Sequence, residues 1–233
     1  MCEIHILRIN RSINIKELSR FFCLISEDKQ KRILNFKNDY DIQRSLLGEI
    51  LARYALCQKL NIKNKSLKLE NTIEGKPILI NSQKNSFNIS HSGEWVVCAL
   101  CDSGKVGVDI EEIKPIDYKI AQRFFAKKEY ERLLKTYKGH QLQYFFSIWT
   151  LKESYIKAEG RGLSIPLNSF HFSFIEDKIV MYLGNKEMNQ YNFSQPHINK
   201  NVTLSVCSES KCGYKLIYYN VDTFTEKGLS VLY

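Results

Sequence analysis

No stretch of the chain approaches the run of roughly 20 apolar residues that a membrane span requires. The opening Met1-Cys2-Glu3-Ile4-His5 also lacks the basic region and apolar block of a signal peptide, so the expected location is the cytoplasm, with no membrane partner. Glycine-rich phosphate loops are missing as well. Neither a Walker G-x-x-x-x-G-K-[ST] nor a Rossmann G-x-G-x-x-G occurs, which leaves a common kinase, NTPase or dehydrogenase without an anchor. Gly160-Arg161-Gly162 follows a helical stretch instead of opening one, and helix termination accounts for it. Metal-ligating clusters of Cys and His are absent too. The seven cysteines are scattered and odd in number, far below the density of a secreted disulfide scaffold, so reduced thiols are expected. Cys98 and Cys101 have the spacing of half a zinc site, but no second pair completes it and core packing explains them.

The residues that are present describe a folded globular protein. Of 233 residues, 44% are apolar and 25% charged, enough for one large domain or two ordinary ones without staples. The net charge of +9 implies an anionic partner, and nucleic acid, phosphorylated cofactors and acidic proteins all qualify. Apolar spacing predicts an initial strand, a helix over 15–26, a basic helical segment holding Lys29, Lys31 and Arg32, and a long helix capped by Asn38 or Asp39 that carries Arg44. After Glu74-Gly75-Lys76-Pro77 come short β-rich runs at 78–80, 86–90, 95–101 and 105–112, expected to pair as one sheet. Helices return over 117–159, with a break at Gly139, and strands follow at 169–175, 178–183, 202–207 and 214–221. The expected class is α+β, with two halves, 1–104 and 105–233, meeting at Asp102-Ser103-Gly104.

Three segments carry candidate chemistry. In Gly107-Val108-Asp109-Ile110-Glu111-Glu112 the strand period of two sends Val108 and Ile110 to the core and Asp109 and Glu111 together to the other face. Two carboxylates so spaced can reach one cation, although alternation alone also describes an ordinary half-exposed strand. In Trp149-Thr150-Leu151-Lys152-Glu153-Ser154-Tyr155-Ile156-Lys157, Glu153 and Lys157 stand one helical turn apart on the face of Trp149, which equally describes a surface ion pair. Phe87-Asn88-Ile89-Ser90-His91-Ser92-Gly93 runs from a strand into small polar residues that can meet phosphate oxygens, or simply into a turn. Its Ser-His pair is no protease signature, since no G-x-S-x-G elbow is present. Taken together, three carboxylates and no Cys or His cluster suit a hard cation such as Mg²⁺, which typically completes its shell with water and substrate phosphate.

These three segments, in this order and spacing, closely resemble the signatures of surfactin-type 4'-phosphopantetheinyl transferases. Arg44-Ser45-Leu46-Leu47-Gly48, Gly75-Lys76-Pro77 and Arg123-Phe124-Phe125 also look like family sequence, while the tail beyond about residue 175 resembles it loosely. The resemblance implies a pseudodimer of two α+β halves with coenzyme A in the cleft between them, acting as a monomer. It implies transfer of the 4'-phosphopantetheine group to a serine of an apo peptidyl or acyl carrier protein, as in nonribosomal peptide and antibiotic biosynthesis, with release of 3',5'-ADP. By the same resemblance Asp109, Glu111 and Glu153 would hold Mg²⁺, Lys157 would meet the pyrophosphate, and His91 would contact a cofactor phosphate. Lys29, Arg32 (or Lys31), Arg44 and Ser45 would surround the 3'-phosphate, and Lys76, Pro77 and Ser90 would line the adenine pocket. Arg32 stands where the family has Lys, and Ser45 where it has Thr. Glu153 would be the base, directly or through water, and Glu129 with residues 124–128 would touch the carrier.

Two other readings compete. Glu112-Ile113-Lys114 with Asp102 imitates a Mg²⁺-dependent nuclease, but Glu112 falls on the opposite strand face from Glu111. A nucleic-acid-binding module would need basic residues interleaved with aromatics on one face, whereas here Lys and Arg are dispersed, so no nucleic acid partner is expected.

Overall fold

A computed structural model describes residues 1–80, 84–210 and 213–232. Cys212 lies outside them. The chain begins with β1 (Cys2–Arg8), α1 (Ile15–Phe22), α2 (Glu27–Leu34) and α3 (Asp39–Leu60). Asn14 and Glu17 form a capping box on α1, and the Asn38 side chain accepts from Tyr40 N at 2.9 Å to start α3. Next come β2 (Leu69–Asn71), β3 (Pro77–Leu79), β4 (Ser86–Ser92), β5 (Trp95–Cys101) and β6 (Val106–Glu112). The second helical region comprises α4 (Lys119–Phe124), α5 (Lys127–Lys135) and α6 (Gln141–Glu159), the last ended by Gly160 at φ 72°. The chain closes with β7 (Phe170–Ile175), β8 (Lys178–Leu183), β9 (Lys186–Glu187), β10 (Asn192–Ser194), β11 (Val202–Ser208), β12 (Tyr214–Asn220) and α7 (Val221–Leu232).

The runs between 78 and 112 do not make one sheet. β4 and β5 join β1 and β12 in the order β12-β1-β5-β4, β6 leaves to pair with β11 in β10-β11-β6, and β3 forms a separate hairpin with β2. The reason lies on β4. Asn88, Ser90 and Ser92 alternate along one face, and their side-chain oxygens accept from Val108 N, Ile110 N and Glu112 N at 2.9, 3.3 and 3.1 Å. Side chains thus satisfy the amides of β6 that a neighbouring strand would otherwise take, and β6 crosses to its own sheet.

Each of the two long helices packs on its own sheet. Leu46, Leu47, Ile50 and Leu51 of α3 bury against Val96, Cys98 and Leu100. Val97 and Ala99 on the other face of β5 join Ile4 and Ile6 and meet Val108, Ile110, Leu204 and Val206, so a second core lies between the sheets. Aromatics fill a third beneath α6, where Phe125, Phe145, Phe170 and Phe172 collect. Strand β12 runs parallel to β1, and Val221 and Phe224 of α7 enter the α3 core. The sequence reading has no counterpart to α7. No helix among the described residues is long and apolar enough to cross a membrane.

The cysteines depart from expectation at one place. Cys2 and Cys101 form a disulfide, because the antiparallel register of β1 and β5 sets them directly opposite with Cα atoms 4.2 Å apart. Cys57, Cys98 and Cys207 are buried, and burial pushes the thiols of all three up.

Candidate active site

Gly107 determines how closely α6 approaches β6. A Cβ there would stand 2.0 Å from Ser154 O and 2.4 Å from Ala158 N, so only glycine allows the helix backbone to rest on the strand. Because strand side chains alternate, Asp109 and Glu111 emerge on the same face as Gly107 and meet the next turns of α6. Lys157 Nζ lies 2.6 Å from Asp109 Oδ1 and donates to Ser90 Oγ at 3.1 Å. Ser90 Oγ in turn donates to Asp109 Oδ1 at 3.0 Å, and Ser92 Oγ to Glu111 Oε2 at 2.8 Å. Glu153, one turn before Lys157, completes the group.

Ser90, Asp109, Glu111, Glu153 and Lys157 line a cavity of about 460 Å³ between α3, the β4 rim, β6 and α6. It gathers nine of the predicted residues: Lys29, Ser45, Pro77, Ser90, His91, Asp109, Glu111, Glu153 and Lys157. Trp149 adds an apolar wall. Glu49 lines it too, held by Lys29 Nζ at 3.2 Å and Arg53 Nε at 2.9 Å. Sequence reasoning missed Glu49, whose position on the largely buried face of α3 hides it. It also missed the anchoring by Asn88 and Ser92, although their alternation with Ser90 is a legible signal.

Three predicted residues are placed elsewhere. Arg32 is exposed on α2, since burial of Ile33 turns the preceding residue outward, and neither it nor the alternative Lys31 lines the cavity. Arg44 is drawn aside by an ion pair with Asp41 and a 3.0 Å bond from Nη1 to Gly93 O, and lines a neighbouring cavity. Lys76 turns its amine to the Val106 and Ala158 carbonyls. Glu129 is no surface contact either. It is 2% exposed, 2.8 Å from Lys152 Nζ, and accepts from Phe172 N and Ala126 N. Asp102 pairs with Lys59 and the amino terminus, which removes the upstream carboxylate of the nuclease reading.

The electrostatics favour an added cation. Burial raises Asp109, and burial together with the neighbouring Asp109 raises Glu111. Burial, then Asp109 and Glu111, push Glu153 up to about 7. Burial works against the Lys157 ammonium, yet Asp109, Glu153 and Glu111 hold its pKa above the ordinary value. Desolvation, with Arg44 and Lys157 nearby, lowers His91. Asp109 Oδ2 is buried without a hydrogen-bond partner among the described residues, in a site otherwise rich in them. Among the described residues no group of three Asp, Glu, His or Cys side chains closes into a ready metal cage.

Comparison with known proteins defines the class. The 4'-phosphopantetheinyl transferase superfamily matches residues 105–207, and the N-terminal domain of 4'-phosphopantetheinyl transferases matches residues 13–103. The chain belongs to the 4'-phosphopantetheinyl transferase family and is of the surfactin type. It is 39% identical to 4'-phosphopantetheinyl transferase Sfp of Bacillus subtilis (strain 168), over 75% of this chain and 78% of that one. It is 38% identical to 4'-phosphopantetheinyl transferase gsp of Aneurinibacillus migulanus, over 89% and 86% of the two chains. The human L-aminoadipate-semialdehyde dehydrogenase-phosphopantetheinyl transferase is 29% identical over 78% of this chain and 66% of its own.

Proposed function

We propose that the protein transfers the 4'-phosphopantetheine group of coenzyme A to a serine hydroxyl of an apo peptidyl or acyl carrier protein, releasing 3',5'-ADP, with Mg²⁺ bound between its carboxylates. The observation that carries this reading is the convergence of Asp109, Glu111, Glu153 and Lys157 with His91, Ser90 and Lys29 in one cavity. The family match supplies the reaction.

Lys29 and Ser45 meet the cofactor's 3'-phosphate, Pro77 and Ser90 border the adenine, and His91 and Lys157 hold phosphate oxygens. Asp109, Glu111 and Glu153 would hold Mg²⁺, which would supply positive charge beside the pyrophosphate. The carrier serine gives up its proton to Glu153, directly or through one water, and its Oγ attacks the β-phosphorus. The bond from that phosphorus to the oxygen of the ADP moiety breaks, and Lys157 offsets the charge that gathers there. The two halves, 1–104 and 105–233, act as a pseudodimer within a cytoplasmic monomer, and carrier domains of nonribosomal peptide synthesis are the natural recipients.

Intact-mass measurement of an apo carrier incubated with the enzyme, coenzyme A and Mg²⁺ tests the reading. The carrier gains one phosphopantetheine arm, and chelation with EDTA abolishes the gain. No mass increase on either a peptidyl or an acyl carrier overturns it.

A further inference from the structure

Lys76 follows Gly75, whose φ of +87° makes the tight turn between β2 and β3. Its amine donates to Ala158 O at 3.0 Å and to Val106 O at 3.1 Å. Ala158 lies in the last turn of α6, where carbonyls lack intrahelical partners and the helix dipole favours a cation. Val106 opens β6. The stem packs as closely as the head, since a Cβ on Gly160 would stand 3.2 Å from Lys76 Cδ. Burial lowers the Lys76 pKa to about 8, with Cys207, Lys105, Glu159 and Glu209 around it, so the amine is desolvated at this junction.

The two carbonyls belong to the elements that build the site. Ala158 adjoins Lys157, and Val106 precedes Gly107 and Asp109. On the hairpin side, Pro77 is the next residue and lines the acidic cavity. Among the described residues, the side-chain hydrogen bonds running from the β2–β3 hairpin to the second half are these two from Lys76. Without them the Pro77 wall would rest on the rest of the cavity through packing alone.

We propose that Lys76 is a positioning residue: by bridging the Val106 and Ala158 carbonyls it holds the Pro77 wall against the strand and helix that carry Asp109 and Lys157, and thereby sets the affinity for coenzyme A. This rests on the reading of the cavity as the coenzyme A site. Lys76 touches no cofactor group in this role, which separates it from a direct phosphate ligand.

The test measures coenzyme A dissociation constants by calorimetry and steady-state constants for the wild type, Lys76→Met and Lys76→Arg. Loss of a charge-assisted hydrogen-bond pair in Lys76→Met is expected to raise Kd and KM for coenzyme A about tenfold while kcat moves less than about twofold. Lys76→Arg, which keeps a cation with several donors, is expected to return Kd to within about threefold of wild type. Coenzyme A and its 3'-dephospho analogue should weaken equally. Unchanged Kd, a fall in kcat alone, or weakening confined to the 3'-phosphorylated ligand would each overturn the proposal. Should Lys76→Met lose its native near-ultraviolet circular dichroism, Lys76→Gln, which keeps a donor, carries the same comparison. Failure of the wild type to bind coenzyme A instead sinks the functional reading on which the proposal stands.

Discussion

Asp109 shows how one residue depends on several elements. Its Oδ1 is held by Lys157 from α6 and Ser90 from β4, while Oδ2 is buried and has no hydrogen-bond partner among the described residues. Among the described residues Glu153 has no such fixed partner, and it lines the cavity. On the proposed function, Glu153→Gln would remove both a metal ligand and the base without changing shape. It is expected to abolish carrier modification in the mass assay while leaving the circular dichroism spectrum and melting temperature near wild type, and full turnover would exclude both roles. Ser90→Ala is a different kind of change. It takes the acceptor from Ile110 N and a donor from Asp109, and should lower unfolding free energy by about 1–3 kcal/mol in urea titrations as well as slowing transfer.

At the scale of elements, the approach of α6 to β6 is the determining contact. Gly107→Ala would drive a methyl group into the helix backbone, which cannot yield as a side chain can. Overpacking of this kind is expected to cost about 3 kcal/mol and to separate Lys157 from Asp109, read as a lowered midpoint in denaturant and a loss of transfer even where the protein stays folded. The opposite face of α6 is held by Lys152, which is fully buried, donates to Leu167 O and Phe170 O at 2.8 and 2.7 Å, and pairs with Glu129. Lys152→Met leaves the Glu129 carboxylate buried and unpaired, with an expected loss of about 3–5 kcal/mol in unfolding free energy. A smaller loss on replacing both partners with apolar residues would show that most of this is the cost of the orphaned charge.

For the whole molecule, the charge of +9 bears on the encounter with the carrier more than on the fold. The screening length falls from roughly 30 Å at 0.01 M salt to 3 Å at 1 M, so attraction to an acidic carrier weakens as salt rises. The KM for an acidic carrier is expected to climb with added NaCl while kcat changes little. A KM indifferent to salt would assign docking to apolar contacts.

The amino-acid sequence by itself determined the two-residue spacing of Asp109 and Glu111, the one-turn spacing of Glu153 and Lys157, and a helix cap at Asn38 or Asp39. These follow from the fixed periods of strand and helix, which operate within a few residues. Tertiary structure alone decided what lies more than a few residues apart. The departure of β6 to a second sheet depends on side chains of β4, the Cys2–Cys101 bond on strand register, and the burial of Glu129 on Lys152. The removal of Arg44 and Lys76 from the cavity is of the same kind. A long basic side chain carries its charge several ångströms from its backbone, and the nearest carbonyl or carboxylate in space, not the local pattern, decides where that charge comes to rest.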